Sequence, residues 1–438
     1  MKLEVNMVVQ ALERHVVSGG QGIEVLPIEL VEQTLRAVID GTDMATILSC
    51  TLVCKRWNAI CRLYVFQHIK IVSEDRMNEL KALLDSKPEI GPHIHELEIE
   101  AAPLGTVPEP LEWVANFPSV LSSHLTQVRT IEFIGLWEAG EILAGSTFFH
   151  DLTEFKTVTK LTVRYSFVTL NILQAFACAL PNLQDLQIGE TFQPPIEFGD
   201  APAGIYDPSL SSLHIHAGQR FPEATDLGLT WALSTKSRWT LQSLSSLVYF
   251  NVAQALTDHL TMLGDQLRHL ELRLGMQMGT TFEYEMIKED LHIHACTGLE
   301  TLALYCTLPA CPCIMTLLAE ISSPSIQKVS ITIFGNDVAS LSNCQALAEP
   351  LDGHNLRNLD EVRFMYRGDL PLEIVFEKLC EDLPSIHRRG ILRVMIPRIN
   401  PCHEPGFPKK WDFLGPWIER QRLQRAAQEE AQAQASAS

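Results

Sequence analysis

The stretch Ile94-His95-Glu96-Leu97-Glu98-Ile99-Glu100 decides the fold. Leu97 and Ile99 alternate with three glutamates, the period of two that gives a strand one buried face and one wet face. Ile94, three residues ahead of Leu97, completes an L-x-x-L-x-L hexad. Hexads of the same form follow at Val128-x-x-Ile131-x-Phe133, Val158-x-x-Leu161-x-Val163, Leu183-x-x-Leu186-x-Ile188 and Leu210-x-x-Leu213-x-Ile215. They continue at Leu267-x-x-Leu270-x-Leu272, Leu299-x-x-Leu302-x-Leu304, Ile326-x-x-Val329-x-Ile331, Leu359-x-x-Val362-x-Phe364 and Ile391-x-x-Val394-x-Ile396. Leu244-x-x-Leu247-x-Tyr249 is a weaker eleventh. One hexad means little in an apolar sequence, but recurrence about every 30 residues marks stacked repeats.

Between hexads, residues 171–180 (NILQAFACAL), 256–263 and 314–321 read as helices, and several helical stretches end at a proline, as at Pro181 and Pro384. Strand plus helix in each repeat, stacked side by side, buries a continuous core that no single repeat could bury. The expected fold class is α/β, with an irregular leucine-rich-repeat-like solenoid (a horseshoe) over residues 71–410. The repeats are degenerate: their steps are uneven, and the Asn or Cys that usually follows the strand is mostly missing. Residues 411–438 read as a last helix fading into a polar Ala/Gln/Ser tail.

Composition narrows the function. The 438 residues include 34 Lys+Arg against 53 Asp+Glu, a net charge of −19, with 46% hydrophobic residues. That is not a disordered composition. The negative field repels phosphate backbones and anionic lipid, so neither nucleic acid nor membrane is an expected partner. Eleven cysteines are too few for a disulfide scaffold and odd in number, as for reduced thiols in the cytoplasm or nucleus. No stretch reaches the roughly 18 apolar residues of a membrane span. The opening carries Glu4 and Glu13 and no small-residue cleavage site, unlike a signal peptide. A cytoplasmic and/or nuclear protein is expected.

Residues 26–70 have another texture. Pro27 suits a first helical turn, and Ile28, Val31, Leu35 and Val38 recur at helical spacing. Gly41 breaks that helix. Asp43 can cap a second stripe of Ile47, Leu48, Leu52, Val53, Trp57 and Ile60, with Tyr64 and Phe66 in a short third piece. Three helices in about 45 residues bury little by themselves, so large apolar side chains here are surface offered to a partner. The alternative is that they pack the segment against the first repeat.

Leu26-Pro27-x-Glu29-Leu30, Ser49-x-x-x-Val53-Cys54-Lys55-x-Trp57 and Phe66 ahead of Ile69 resemble the F-box. The whole layout resembles fungal F-box proteins with irregular leucine-rich repeats. The resemblance implies an N-terminal extension (1–24) and a small three-helix F-box (25–70) docking on the Skp adaptor of a cullin–RING ubiquitin ligase. It also implies a repeat domain that presents a protein substrate. Adaptor contacts are expected from Leu26, Pro27, Ile28, Leu30, Leu48, Val53, Cys54 and Trp57, a Trp among aliphatics being the usual make-up of an interface hot spot. Five basic and four acidic residues make the segment nearly neutral on an acidic molecule.

In each strand the residues beside the hexad positions point away from the core. They are polar and mixed in charge, acidic at the first repeat and more basic toward the end. The substrate-binding candidates are Arg164, His214, His216, Arg273, Tyr305 and Arg363, the alternative being an ordinary solvated sheet face. His-Ile-His occurs at 93–95, 214–216 and 292–294, and alternate strand residues share a face as paired metal ligands do. No third ligand is evident beside any pair. Cys306, Cys311 and Cys313 lack zinc-knuckle spacing. There is no Gly-rich phosphate loop, G-x-S-x-G elbow or H-E-x-x-H. The expectation is a substrate-recognition subunit of an SCF-type ubiquitin ligase with no catalytic residue, cofactor or metal. The alternatives are a binding scaffold without ubiquitin transfer and, last, an α/β metalloenzyme.

Overall fold

Nine of the hexads fold as the entry to a parallel β-strand, while in the last repeat Leu392 and Val394, not Val394 and Ile396, stand opposite Val362 and Phe364. The computed structural model describes Ser49, Cys50, Leu52 and residues 55–101, 112–136, 139–164, 166, 169–189, 206–216, 223–275, 281–306, 312–334 and 339–396. Leu26, Pro27, Ile28, Leu30, Leu48, Val53 and Cys54 lie outside the described residues, as do the extension 1–24 and the tail 411–438. The chain divides into two units, Met1–Ala101 with Pro110–Gln242, and Ala102–Glu109 with Ser243–Ser438.

The first unit holds strands β1 (His68–Ile71), β2 (Glu96–Glu100), β3 (Thr130–Ile134), β4 (Lys160–Arg164), β5 (Asp185–Gly189) and β6 (Ser212–His216). Each is parallel to the one before, in a register that sets Leu97, Ile131, Leu161, Leu186 and Leu213 in one buried row. Helix α1 (Lys55–Val65) leads into β1, and α2 (Glu74–Ser86), α3 (Glu112–Leu121), α4 (Ala139–Ala144), α5 (Phe148–Leu152), α6 (Leu170–Ala179) and α7 (Glu223–Ser234) follow the strands in turn. Ser73 and Thr169 start α2 and α6 by accepting the amides of Arg76 and Ile172. Phe117, Phe133, Phe148, Phe155 and Phe176 fill the core, with Phe133 and Phe176 centroids 4.8 Å apart.

β1 straddles the boundary drawn at residue 70. Phe66-x-x-Ile69-x-Ile71 is itself a hexad, and His68–Ile71 pairs with Glu96–Ile99 as the first rung of the ladder. Tyr64, expected in a separate third piece, instead belongs to the end of α1.

The second unit repeats the scheme with β7 (Ser243–Val248), β8 (His269–Leu274), β9 (Thr301–Tyr305), β10 (Lys328–Phe334), β11 (Glu361–Arg367) and β12 (Leu392–Met395). Its helices are α8 (Ala253–Leu263), α9 (Thr281–Asp290), α10 (Pro312–Glu320), α11 (Ala348–Leu351), α12 (Leu372–Asp382) and α13 (Pro384–Arg388). The register corrects the eleventh hexad. Leu244, Ser246 and Val248 pair with Leu270, Leu272 and Leu274 on the core side, while Leu247 pairs with Arg273 on the other. The true hexad is Leu241-x-x-Leu244-x-Ser246, and its steps from Leu213 and to Leu270 are 31 and 26 residues.

The joints between repeats are alike despite unequal lengths. The carbonyl just ahead of a strand accepts two amides from the next repeat: Gln67 from His95 and Glu96, His95 from Arg129 and Thr130, Arg268 from Glu300 and Thr301. Side chains directly preceding a hexad tie the loops: Thr157 donates to the Val128 carbonyl at 2.7 Å, Asn182 to Lys156 at 2.7 Å, and Thr240 to Leu210 at 2.8 Å. These bonds satisfy loop carbonyls that the strand ladder leaves without donors. Gly298 holds the same position ahead of Leu299, and a Cβ there would lie 1.8 Å from the Asp265 carbonyl oxygen.

Among the described residues, no helix is long and apolar enough to cross a membrane. Gly298→Ala should force the two backbones apart and destabilise the protein by about 1–3 kcal/mol, the usual effect of overpacking. The measurement is the urea midpoint; a midpoint equal to that of the wild type would mean the Asp265 loop yields freely.

Candidate functional site

Because successive side chains alternate across a strand, the row opposite the core is fixed once the ladder forms. In the first unit that face is crossed by ion pairs. Lys70 Nζ lies 2.7 Å from Glu98 and 2.5 Å from Glu100, and His68 Nε2 is 3.3 Å from Glu98. The hydrogen bond from His68, with the Lys70 ammonium beside it, outweighs burial and holds the Glu98 carboxyl down at about 2. His68 is raised in return, chiefly by the same bond. Arg164 pairs with Glu132, Lys160 stands 3.5 Å from Asp185, and His214 shares a 2.9 Å hydrogen bond with Ser212. Arg164 and His214 are thus engaged within the sheet face, and His216 shares a register row with Gly189 and Arg164.

The second unit presents a different face. Arg273, Tyr305, Thr332, Met365 and Met395 share one register row, and Phe334 and Arg367 pair in the next. Tyr305 and Phe334 meet edge to face with centroids 5.5 Å apart. The Arg273 guanidinium lies 5.7 Å from the Tyr305 ring; Arg367 lies 5.2 Å from Tyr305 and 6.0 Å from Phe334. Arg273 also donates to Glu271 at 2.7 Å. Arg367, half-buried over the two rings, has no carboxylate partner among the described residues. Met395, 41% exposed, widens the apolar part.

Sequence reasoning reached Arg273 and Tyr305, and the register brings them together. Arg363 stands apart from them: it is bound to Glu361 at 2.8 Å, and Glu361 also takes Lys328 at 3.3 Å. Phe334 and Arg367 were missed because β10 and β11 each run past the hexad to seven residues. Continuing the alternation from Lys328 and from Glu361 would have found both. Five basic residues (Arg273, Lys328, Arg363, Arg367, Arg393) face two acidic ones (Glu271, Glu361) on these strands. Tyr, Phe, Met and Arg are what protein interface centres are rich in.

At the N-terminal end, Trp57 is only 3% exposed, and its indole N–H meets no acceptor among the described residues. Trp57, expected among the adaptor contacts, is enclosed by its own chain. Leu52, 86% exposed, presents the apolar surface there. Burial pushes the Cys296 and Cys344 thiols up to about 12, far from the thiolate character of a nucleophile. The His292–His294 pair, for which the sequence offered no third ligand, is joined by Glu320 from the end of α10.

No family model and no curated protein matches the chain. A crystal structure of the Rad7 and Elc1 complex in yeast is similar at 11% identity and a TM-score of 0.35, covering 89% of this chain and 97% of that one. A likeness at that level identifies no common family.

The Glu98 cluster makes stability depend on pH. Lowered from an ordinary 4.5 to about 2, Glu98 contributes stability that is present above about pH 4.5 and lost as pH falls toward 2. His68, raised from 6.5, contributes stability that is full below that value and lost as pH rises through the folded one. Glu98→Gln should therefore flatten the melting temperature against pH in both ranges, while a profile parallel to the wild type would assign the dependence to other groups.

Proposed function

We propose that the chain is a non-catalytic substrate receptor that docks on a Skp-type adaptor through residues 25–70 and grips a protein client on the strand face of its second unit. The observation that carries the client-binding half is the Arg273–Tyr305–Phe334–Arg367 cluster, aromatic surface next to an Arg367 guanidinium that has no carboxylate partner among the described residues. A client segment bearing a carboxylate beside an apolar side chain fits it: the acid meets the Arg367 fork and the apolar group covers Tyr305 and Met365. The adaptor-docking half rests on the F-box-like residues and on the exposed Leu52.

Such a receptor works by proximity. Holding the client beside a ubiquitin-charged enzyme makes transfer effectively intramolecular, and an adaptor interface of about 800 Å² on each partner is enough for stable docking. Ubiquitination reconstituted with a captured client separates this reading from a scaffold without transfer.

Leu30→Ala with Leu52→Glu should reduce adaptor co-purification roughly thirtyfold, the loss of a hot spot of about 2 kcal/mol, without lowering the melting temperature. Trp57→Ala behaves differently, destabilising the fold by about 3–5 kcal/mol as a large buried side chain does. Equal adaptor recovery from the double variant would remove the docking assignment. Tyr305→Ala with Arg367→Glu should keep the adaptor and lose the clients captured by the wild type. An unchanged set of clients would place recognition elsewhere.

A further inference from the structure

We infer that His292, His294 and Glu320 form a binding site for a divalent cation of the zinc class, which pins one repeat of the second unit to the next. Among the described residues this is the one group of three such side chains whose ligand atoms all fall within 4.8 Å of one another. His292 Nδ1 and Glu320 Oε1 are 2.8 Å apart, and the two imidazole centroids are 5.9 Å apart. Bonds of about 2.0–2.2 Å to a tetrahedral ion place ligand atoms roughly 3.4 Å from each other. His292 and Glu320 are already near that spacing. His294 is exposed, so a small side-chain rotation brings its nitrogen in.

The backbone around the three is fixed in advance. Glu320 Oε2 accepts the Ile293 amide at 3.1 Å, which orients the carboxylate. The His292 amide donates to Thr257 Oγ1 at 2.8 Å, and Ser322 Oγ donates to the His294 carbonyl at 2.6 Å. Outer-shell bonds of this kind hold ligands in place and tune their affinity for a metal. Two imidazoles and one carboxylate suit zinc and its neighbours, whereas calcium and magnesium require oxygen ligands throughout. With His294 exposed and His292 and Glu320 half-buried, the fourth ligand would be water. The ion would link the segment that follows α9 to the C-terminal end of α10, so its effect is on the stability of the second unit.

The test is titration of zinc(II), and of cobalt(II) as a spectroscopic probe, into the metal-free full chain. The wild type should bind one zinc ion in the micromolar range or tighter, melt higher with zinc, and give the visible bands of four-coordinate cobalt. His294→Ala leaves the His292–Glu320 bond intact and should keep the metal-free melting temperature while weakening zinc binding at least tenfold. Absence of any zinc-dependent heat or melting shift in the wild type would overturn the site. So would His294→Ala binding zinc with unaltered affinity, since the ion would then sit on other ligands.

Discussion

The rest of the molecule depends on the parallel backbone ladder and the alternation it imposes. A strand has a side-chain period of two, so slipping one residue would carry Leu97 and Ile131 to the wet face and Glu98 and Glu132 into the core. The transfer free energy of a row of leucines forbids that slip. What lies on the outer rows follows from this choice and is free to differ between repeats. In the first unit those rows are filled with mutually answering charges, Lys70 with Glu98 and Glu100, Arg164 with Glu132. In the second unit the equivalent rows carry rings and guanidinium groups. One scaffold constraint therefore carries a face crossed by ion pairs in one unit and a face that adds aromatic rings beside its guanidinium groups in the other.

The hexads were legible because leucine and isoleucine occupy most core positions. They fail where chemistry other than bulk satisfies the core. Ser246 is fully buried in place of a leucine, and its hydroxyl reaches the backbone carbonyl of Leu247. A buried hydroxyl with a local acceptor carries a small penalty, so the strand persists while its sequence signal disappears. The nearest apolar alternative, Leu247, then draws the reading one step out of phase. Phe66-x-x-Ile69-x-Ile71 failed for another reason. Its residues fit two patterns at once, the F-box and the hexad, and only the pairing of His68–Ile71 with β2 shows that they build the first rung.

Site residues were legible in proportion to how local their cause is. Strand phase alone put Arg273 and Tyr305 on the open face, since it needs only the neighbouring hexad. Their contact needs the register between β8 and β9, and the sharing of Glu361 between Arg363 and Lys328 needs the register between β10 and β11. The burial of Trp57 has no local signal: a tryptophan on an apolar helical stripe reads the same whether the stripe meets a partner or its own chain.

Long-range polar partners in this fold nonetheless follow a rule that sequence can use. Thr157 reaches Val128 across 29 residues, Asn182 reaches Lys156 across 26, Thr257 reaches Asp290 across 33, and Glu320 reaches His292 across 28. Each separation is close to one repeat, because stacking sets equivalent points of neighbouring repeats side by side. A search for the third ligand of a His-Ile-His pair among its nearest residues therefore looks in the wrong place. The partner stands one repeat away, at the corner where the following helix ends. Glu320 occupies that corner as the last residue of α10, its carboxylate turned toward the preceding repeat by the amide of Ile293.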